Sequence, residues 1–175
     1  MLAHSWPPQH LQSSIHQEKN IRCKFCSRVF ISGPDLASHL ESGSCVSGIN
    51  RHGVNDIVRA YDTRNIITNP GRMISGSTTT TYRATSASWN PYAGAYECYL
   101  CHKYYATLRS LNQHLESPRH EEKIYVCPGN SCRVEFATLS GLWRHIESEK
   151  CGIKKFAVVR DTLDGLVGKM KSIAF

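Results

Sequence analysis

The chain of 175 residues contains no uninterrupted apolar run near the roughly 18 residues that cross a bilayer, so an integral membrane protein is not expected. Its first twenty residues, MLAHSWPPQHLQSSIHQEKN, lack both a basic start and a continuous apolar core, so secretion is not expected either. The Gly-x-Ser-x-Gly elbow, the P-loop and the His-x-Glu with Pro-Cys-x-x-Cys deaminase pattern are all missing. Those absences argue against an enzyme. Aromatic residues make up only 9% of the chain, whereas eight cysteines and nine histidines are far more than an ordinary core of this length uses. In a reducing compartment such numbers point to metal rather than to disulfides.

Positive charge is in excess, with 21 Lys and Arg against 14 Asp and Glu, for a net +7. That suggests a polyanionic partner, but the excess is uneven. Residues 96–152 carry seven bases and seven acids, while 46–95 carry five Arg against two Asp and 153–175 five bases against two acids. Eight thiolates and three Zn²⁺ would add −2, leaving about +5.

Composition divides the chain further. Residues 1–20 are rich in Pro, His, Gln and Ser without periodicity, and disorder is expected; His4, His10 and His16 are too widely spaced for a metal tract. Residues 70–94 are dominated by Gly, Ser and Thr and read as a flexible linker. Between them, Val54, Ile57, Val58 and Tyr61 recur at helical spacing behind a possible cap at Asn50 or Asn55, which predicts a short helix within 46–69. In 153–175, Phe156, Val159, Leu163, Leu166, Val167 and Met170 form an amphipathic stripe, weakened by Gly165 and Gly168, that is expected to pack on a neighbouring unit.

An internal repeat is visible in His39-Leu40-Glu41-Ser42, His114-Leu115-Glu116-Ser117 and His145-Ile146-Glu147-Ser148. Around it the cysteines fall into three registers: Cys23-x2-Cys26-x12-His39-x5-Cys45, Cys98-x2-Cys101-x12-His114-x5-His120 and Cys127-x4-Cys132-x12-His145-x5-Cys151. Every cysteine is consumed, and each set supplies the four soft or borderline ligands that zinc takes tetrahedrally. Three zinc ions are therefore expected. Phe30 with Leu36, Tyr105 with Leu111 and Phe136 with Leu142 should form minimal cores, with Ile21, Tyr96 and Tyr125 on the other side. Such cores cannot offset the ordering entropy of about 25 residues, so metal must hold each unit.

The x5 spacing constrains the helices. On an unbroken helix the last ligand would sit roughly 120° from the first His, so the helix must loosen or stop between them. Gly43 and Pro118 are suitable breakers. Glu147-Ser148-Glu149-Lys150 contains none, and a distorted last turn is expected there. His52 and His102 are left over and default to the surface.

These residues resemble C2H2-type zinc fingers of ββα form, the first and third as CCHC variants. The stretch from Tyr96 to Cys151 and the run Ser47-Gly48-Ile49-Asn50-Arg51 are similar to a group of fungal C2H2 finger proteins, the likeness covering 21–68 and 95–175. The His-x5-His of the middle unit also resembles the single fingers of double-stranded-RNA and spliceosomal-type proteins. The resemblance implies that helix positions −1, 3 and 6 face bases. These are Ser32, Asp35 and Ser38; Thr107, Ser110 and Gln113; and Thr138, Gly141 and Arg144. Only Gln113 and Arg144 have bidentate reach to a purine. The link from His120 to Cys127 lacks the Thr-Gly-Glu-Lys-Pro pattern of groove-tracking arrays.

The expectation is thus a small α+β chain of three zinc-stabilised ββα fingers with short flanking helices and disordered linkers. The boundaries are a disordered terminus at 1–20, fingers at 21–45, 95–121 and 122–152, a helical segment at 46–69, a linker at 70–94 and a tail at 153–175. The last two fingers should lie close together, with the first set apart. A nucleic-acid-binding regulatory role in the nucleus or cytosol is expected, with DNA or RNA contacts from Arg109, Gln113, Lys123, Arg144, Lys154 and Lys155. The alternative is a protein-interaction adaptor, favoured by the neutral finger pair and an exposed Trp143. No membrane or small-molecule partner is expected.

Overall fold

Strands of two or three residues carry too few cross-strand bonds to persist alone, and the computed structural model holds each pair against a helix. It describes residues 20–72, 82–153, 161, 162, 164–166, 168 and 169. In the first unit β1 (Ile21–Arg22) pairs antiparallel with β2 (Val29–Phe30), and α1 (Gly33–Glu41) follows. A second helix, α2 (Arg51–Tyr61), comes next. The middle unit has a three-stranded antiparallel sheet, β3 (Trp89–Asn90), β4 (Ala95–Glu97) and β5 (Tyr104–Tyr105), followed by α3 (Leu108–Glu116). The last unit pairs β6 (Tyr125–Val126) with β7 (Glu135–Phe136) ahead of α4 (Leu139–Glu147). The chain is a small α+β protein.

The helix starts follow side-chain capping. Thr107 accepts from Ser110 N–H in a reciprocal capping box, Thr138 accepts from Gly141 N–H at 3.1 Å, and Asn50 accepts from the amides of His52 and Gly53. Asn55, the other candidate cap, lies inside α2 and accepts instead from the Tyr125 hydroxyl at 2.6 Å.

The spatial order of the units differs from the chain order. α1 packs on α4, so the first and third units are neighbours and do not lie apart. Leu36, Ala37 and Leu40 of α1, Val54 and Val58 of α2, and Leu139, Leu142, Trp143 and Ile146 of α4 belong to one buried cluster. Trp143 is 5% exposed, not a surface residue. It lies over Gly33, where a Cβ would run into the indole ring. Pairing two small modules in this way gives them a larger common interior than either could build alone, which the linear sequence gives no means of foreseeing.

The segment after α2 fastens to the third unit. Asp62, 4% exposed, accepts from Ile66 N–H (2.8 Å), Ile67 N–H (2.9 Å) and Thr68 Oγ1–H (2.9 Å) and so turns the chain. Residues 67–69 then run beside β6: Val126 N–H donates to Ile67 C=O and Asn69 N–H to Ile124 C=O, both at 2.9 Å. Arg72 pairs with Glu135 of β7 at 2.8 Å, whereas Arg51, at the start of α2, pairs with Glu121 beside His120 of the second unit, also at 2.8 Å.

The middle unit has its own cluster of Ala84, Cys98, Leu111 and Leu115. Part of the expected linker belongs to it, since Ala84 is buried, Asn112 bonds both its N–H (2.8 Å) and its C=O (3.2 Å), and residues 89–90 supply β3. The remaining linker residues 73–81 and the expected disordered stretch 1–19 lie outside the described residues, as do Lys154 and Lys155. In the tail, Leu166 is buried in the larger cluster and Gly165 abuts Tyr61 of α2. Phe156, Val159, Leu163, Val167 and Met170 lie outside the described residues. Among those described, no helix is long and apolar enough to cross a membrane.

Candidate metal centres

Each centre begins with a tight turn between its first two cysteines. The first Cys amide donates back across the turn to the carbonyl of Arg28, Lys103 or Val134 at 2.8–2.9 Å. Immediately after the second Cys stands a residue with positive φ, Ser27 (+58°), His102 (+56°) or Arg133 (+48°). The third turn absorbs its two extra residues by bonding both Cys132 N–H and Arg133 N–H to the Gly129 carbonyl. Left-handed backbone is what swings the chain back into the hairpin while both sulfurs stay on one side. It also settles His102, which points away, 76% exposed by side chain, and bonds Glu97 Oε1 at 2.8 Å. Hydrogen bonds from Asn90 first and His102 second hold Glu97's carboxyl below the usual range.

The helix returns the third ligand. His114 stacks on Tyr105, and His39 and His145 lie tilted against Phe30 and Phe136, with centroids 4.8, 4.9 and 5.1 Å apart, which holds each ring with Nε2 toward the sulfurs. Leu36, Leu111 and Leu142 are fully buried beneath. The helices then stop, as the ligand spacing requires. Gly43 takes φ +69° after α1, and Pro118–His120 forms a 3₁₀ turn after α3. The third unit, with neither glycine nor proline there, ends its helix at Glu147 and makes the expected distorted turn through Glu149, equivalent to Gly43, at φ +57°.

Three sets of four side chains result: Cys23, Cys26, His39 and Cys45; Cys98, Cys101, His114 and His120; Cys127, Cys132, His145 and Cys151. Within each, one ligand atom per residue lies within 4.8 Å of all the others. Zinc at about 2.3 Å from sulfur and 2.0–2.1 Å from nitrogen implies tetrahedral edges of about 3.8 Å between sulfurs and about 3.5 Å between sulfur and nitrogen. The measured Cys23–Cys45 and Cys127–Cys151 separations are 3.8 and 3.7 Å, far beyond a disulfide bond of about 2.05 Å. Sulfur–Nε2 separations run from 3.2 to 3.4 Å. His114 and His120 Nε2 approach to 2.8 Å, so that pair must open by about half an ångström around an ion.

The protonation chemistry fits the same reading. Burial first, then repulsion by His120 and Arg119, lowers the basicity of His114, and burial with Arg28 does so for His39, favouring the neutral imidazole that ligates. Burial pushes the Cys127 thiol up to about 12. A cation beside that sulfur would favour its ionised form. The three groups are suited to zinc, with all four positions of each filled by protein.

The expected partner residues are placed less evenly. Arg109, Gln113 and Lys123 are exposed. Arg144 is half-exposed but pairs with Asp35 Oδ1 at 3.2 Å. Two features escaped the linear reading. Glu41, 7% exposed, has the same motif position as Glu116 and Glu147, which are exposed, yet it accepts from Leu139 N–H at 2.7 Å and Ser140 N–H at 3.4 Å. The large apolar side chains left in solvent concentrate at Trp89, Tyr92, Tyr99, Leu100 and Tyr104 of the middle unit.

Comparison of the chain with curated proteins and with solved structures gave no match. Residues 96–120, holding the four ligands Cys98, Cys101, His114 and His120, match the family model described as a zinc-finger of C2H2 type.

Proposed function

We propose that the chain is a non-enzymatic, zinc-stabilised nucleic-acid-binding factor of the nucleus or cytosol, and that its second finger makes the contact. Zinc chemistry is structural in this reading, because four protein ligands per ion leave no open coordination position. The observation that carries the proposal is the contrast among the three helices. α1 and α4 are packed on one another, with Asp35 and Arg144, both at base-reading positions, spent on an ion pair. α3 packs on the strands and following turn of its own finger, leaving Arg109 and Gln113 exposed one helical turn apart on one face. Arg119 adds charge at its C-terminal end.

Binding of labelled single- and double-stranded DNA and RNA by the zinc-loaded chain, at two salt concentrations, tests this. Affinity should fall steeply with salt, in proportion to the phosphates neutralised, and Arg109→Ala should weaken it and flatten the salt slope. Failure to retain any of the four probes at low salt would defeat the reading.

An adaptor role has its own supporting observation. Trp89, Tyr92 and Tyr99, with Glu97 and His102, line an open groove on the second finger, and a cluster of exposed aromatics suits a protein partner. A salt-resistant protein complex lost in Tyr99→Ala would favour that second role.

A further inference from the structure

We propose that the first finger is the folding partner of the third, so that their two metal sites fill as a coupled pair while the site of the second finger fills on its own. The inference rests on the three Cys/His groups holding zinc and is independent of what the protein binds.

The coupling runs through identifiable contacts. Glu41 follows the ligand His39 by two residues, and its carboxylate takes the first two amides of α4, the helix that carries His145. A helix start loses much of its stability when such amides are left without acceptors. On the other side, Leu139, Leu142, Trp143 and Ile146 have Leu36, Ala37 and Leu40 as cluster neighbours. The ligands Cys23, Cys45 and Cys127 are buried in that same cluster. The route from α2 and the segment after it is equally direct. Asn55 holds the Tyr125 hydroxyl and Ile67 the Val126 amide, and these two residues lead straight into Cys127.

None of the residues in the second finger's buried cluster belongs to this one. Glu116, which stands in α3 where Glu41 stands in α1, is exposed. The physical consequence follows from how fingers fold. Metal binding supplies the free energy that orders a module too small to order itself. If two modules share a core, the first ion orders part of what the second ion would otherwise have to order. The second ion therefore binds more tightly, and by linkage the effect is mutual.

The test uses the full chain with Co²⁺ as the probe. Zinc content near three per chain is established first, since a shortfall there would remove the metal reading itself and not only the coupling. Cobalt in a three-sulfur, one-nitrogen site differs in ligand-field absorption from cobalt in a two-sulfur, two-nitrogen site. The third finger can therefore be followed apart from the second once the first is disabled. In a chain carrying His39→Ala and Cys45→Ser, affinity at the third site is expected to fall about tenfold or more, with the second site unchanged within about twofold. His145→Ala should weaken the first site by a similar factor. Glu41→Ala, which keeps all twelve ligands, should weaken the first and third sites together and spare the second. Third-site affinity, with the first site disabled, within twofold of the mean affinity of the intact chain's two three-sulfur, one-nitrogen sites would overturn the proposal. So would an equal loss at all three sites.

Discussion

Arg144 reaches from α4 to place its Nη2 3.2 Å from Oδ1 of Asp35 on α1, so that two opposite charges neutralise each other across the helix pair. Their sequence separation is 109 residues. The pair lies at the rim, with side chains 54% and 39% exposed, so solvent screens it heavily. Asp35→Asn, which retains an acceptor for the Ser32 hydroxyl, should therefore change unfolding free energy by less than about 1 kcal/mol in urea denaturation of the zinc-loaded chain. A loss well above that would show that the ion pair, and not the apolar contact beneath it, holds the helices together.

That apolar contact is the more sensitive point. Gly33 opens α1 directly under the Trp143 indole, and a Cβ there would collide with two ring atoms and press on a third. The ring is buried and has little room to retreat. Gly33→Ala should cost about 1–3 kcal/mol through overpacking. A Trp6→Phe, Trp89→Phe background leaves Trp143 as the remaining indole, and its fluorescence should shift to the red as the two helices separate. An unshifted spectrum and unchanged stability would mean that the contact is not tight in solution.

A third prediction concerns Glu149. It adopts φ +57° at the place where the first finger has Gly43 at +69°. A side chain in the left-handed region costs about 1 kcal/mol or more, which glycine avoids. Glu149→Gly should raise the thermal midpoint, and Gly43→Ala should lower it. Differential scanning calorimetry in excess zinc reads both.

These three cases also mark what was legible in the chain. Ligand identity was readable because coordination demands fixed residue types at fixed spacing, and the same arithmetic required each helix to end before its fourth ligand. How the third helix ends was not readable, since Glu149 has no intrinsic preference for positive φ. The docking of the first finger on the third was hidden for a different reason. Glu41, Glu116 and Glu147 occupy the same place in a repeated motif, and only tertiary context makes one of them a buried cap. Trp143 looked like an exposed contact because an aromatic residue in a module with so small a core has no evident place to go. Its place is another module's glycine.

The segment before the second finger gives the last test. Composition makes 70–94 a linker, yet Ala84 is buried and held by both ends of the Asn112 amide. Asn112 lies on α3, between Leu111 of the core and Gln113 on the exposed edge. Replacing it with Ala would leave the Ala84 amide and carbonyl without their protein partners, at about 1–3 kcal/mol for each group that stays buried. The strap should instead peel away, which limits the cost and leaves zinc bound. Asn112→Ala should accordingly speed amide hydrogen exchange across 82–90 while protection around Cys98 and Leu111 persists. Uniform loss of protection through the whole finger would show that 82–90 is part of its fold proper. No change at all would show that Asn112 is not what holds the segment.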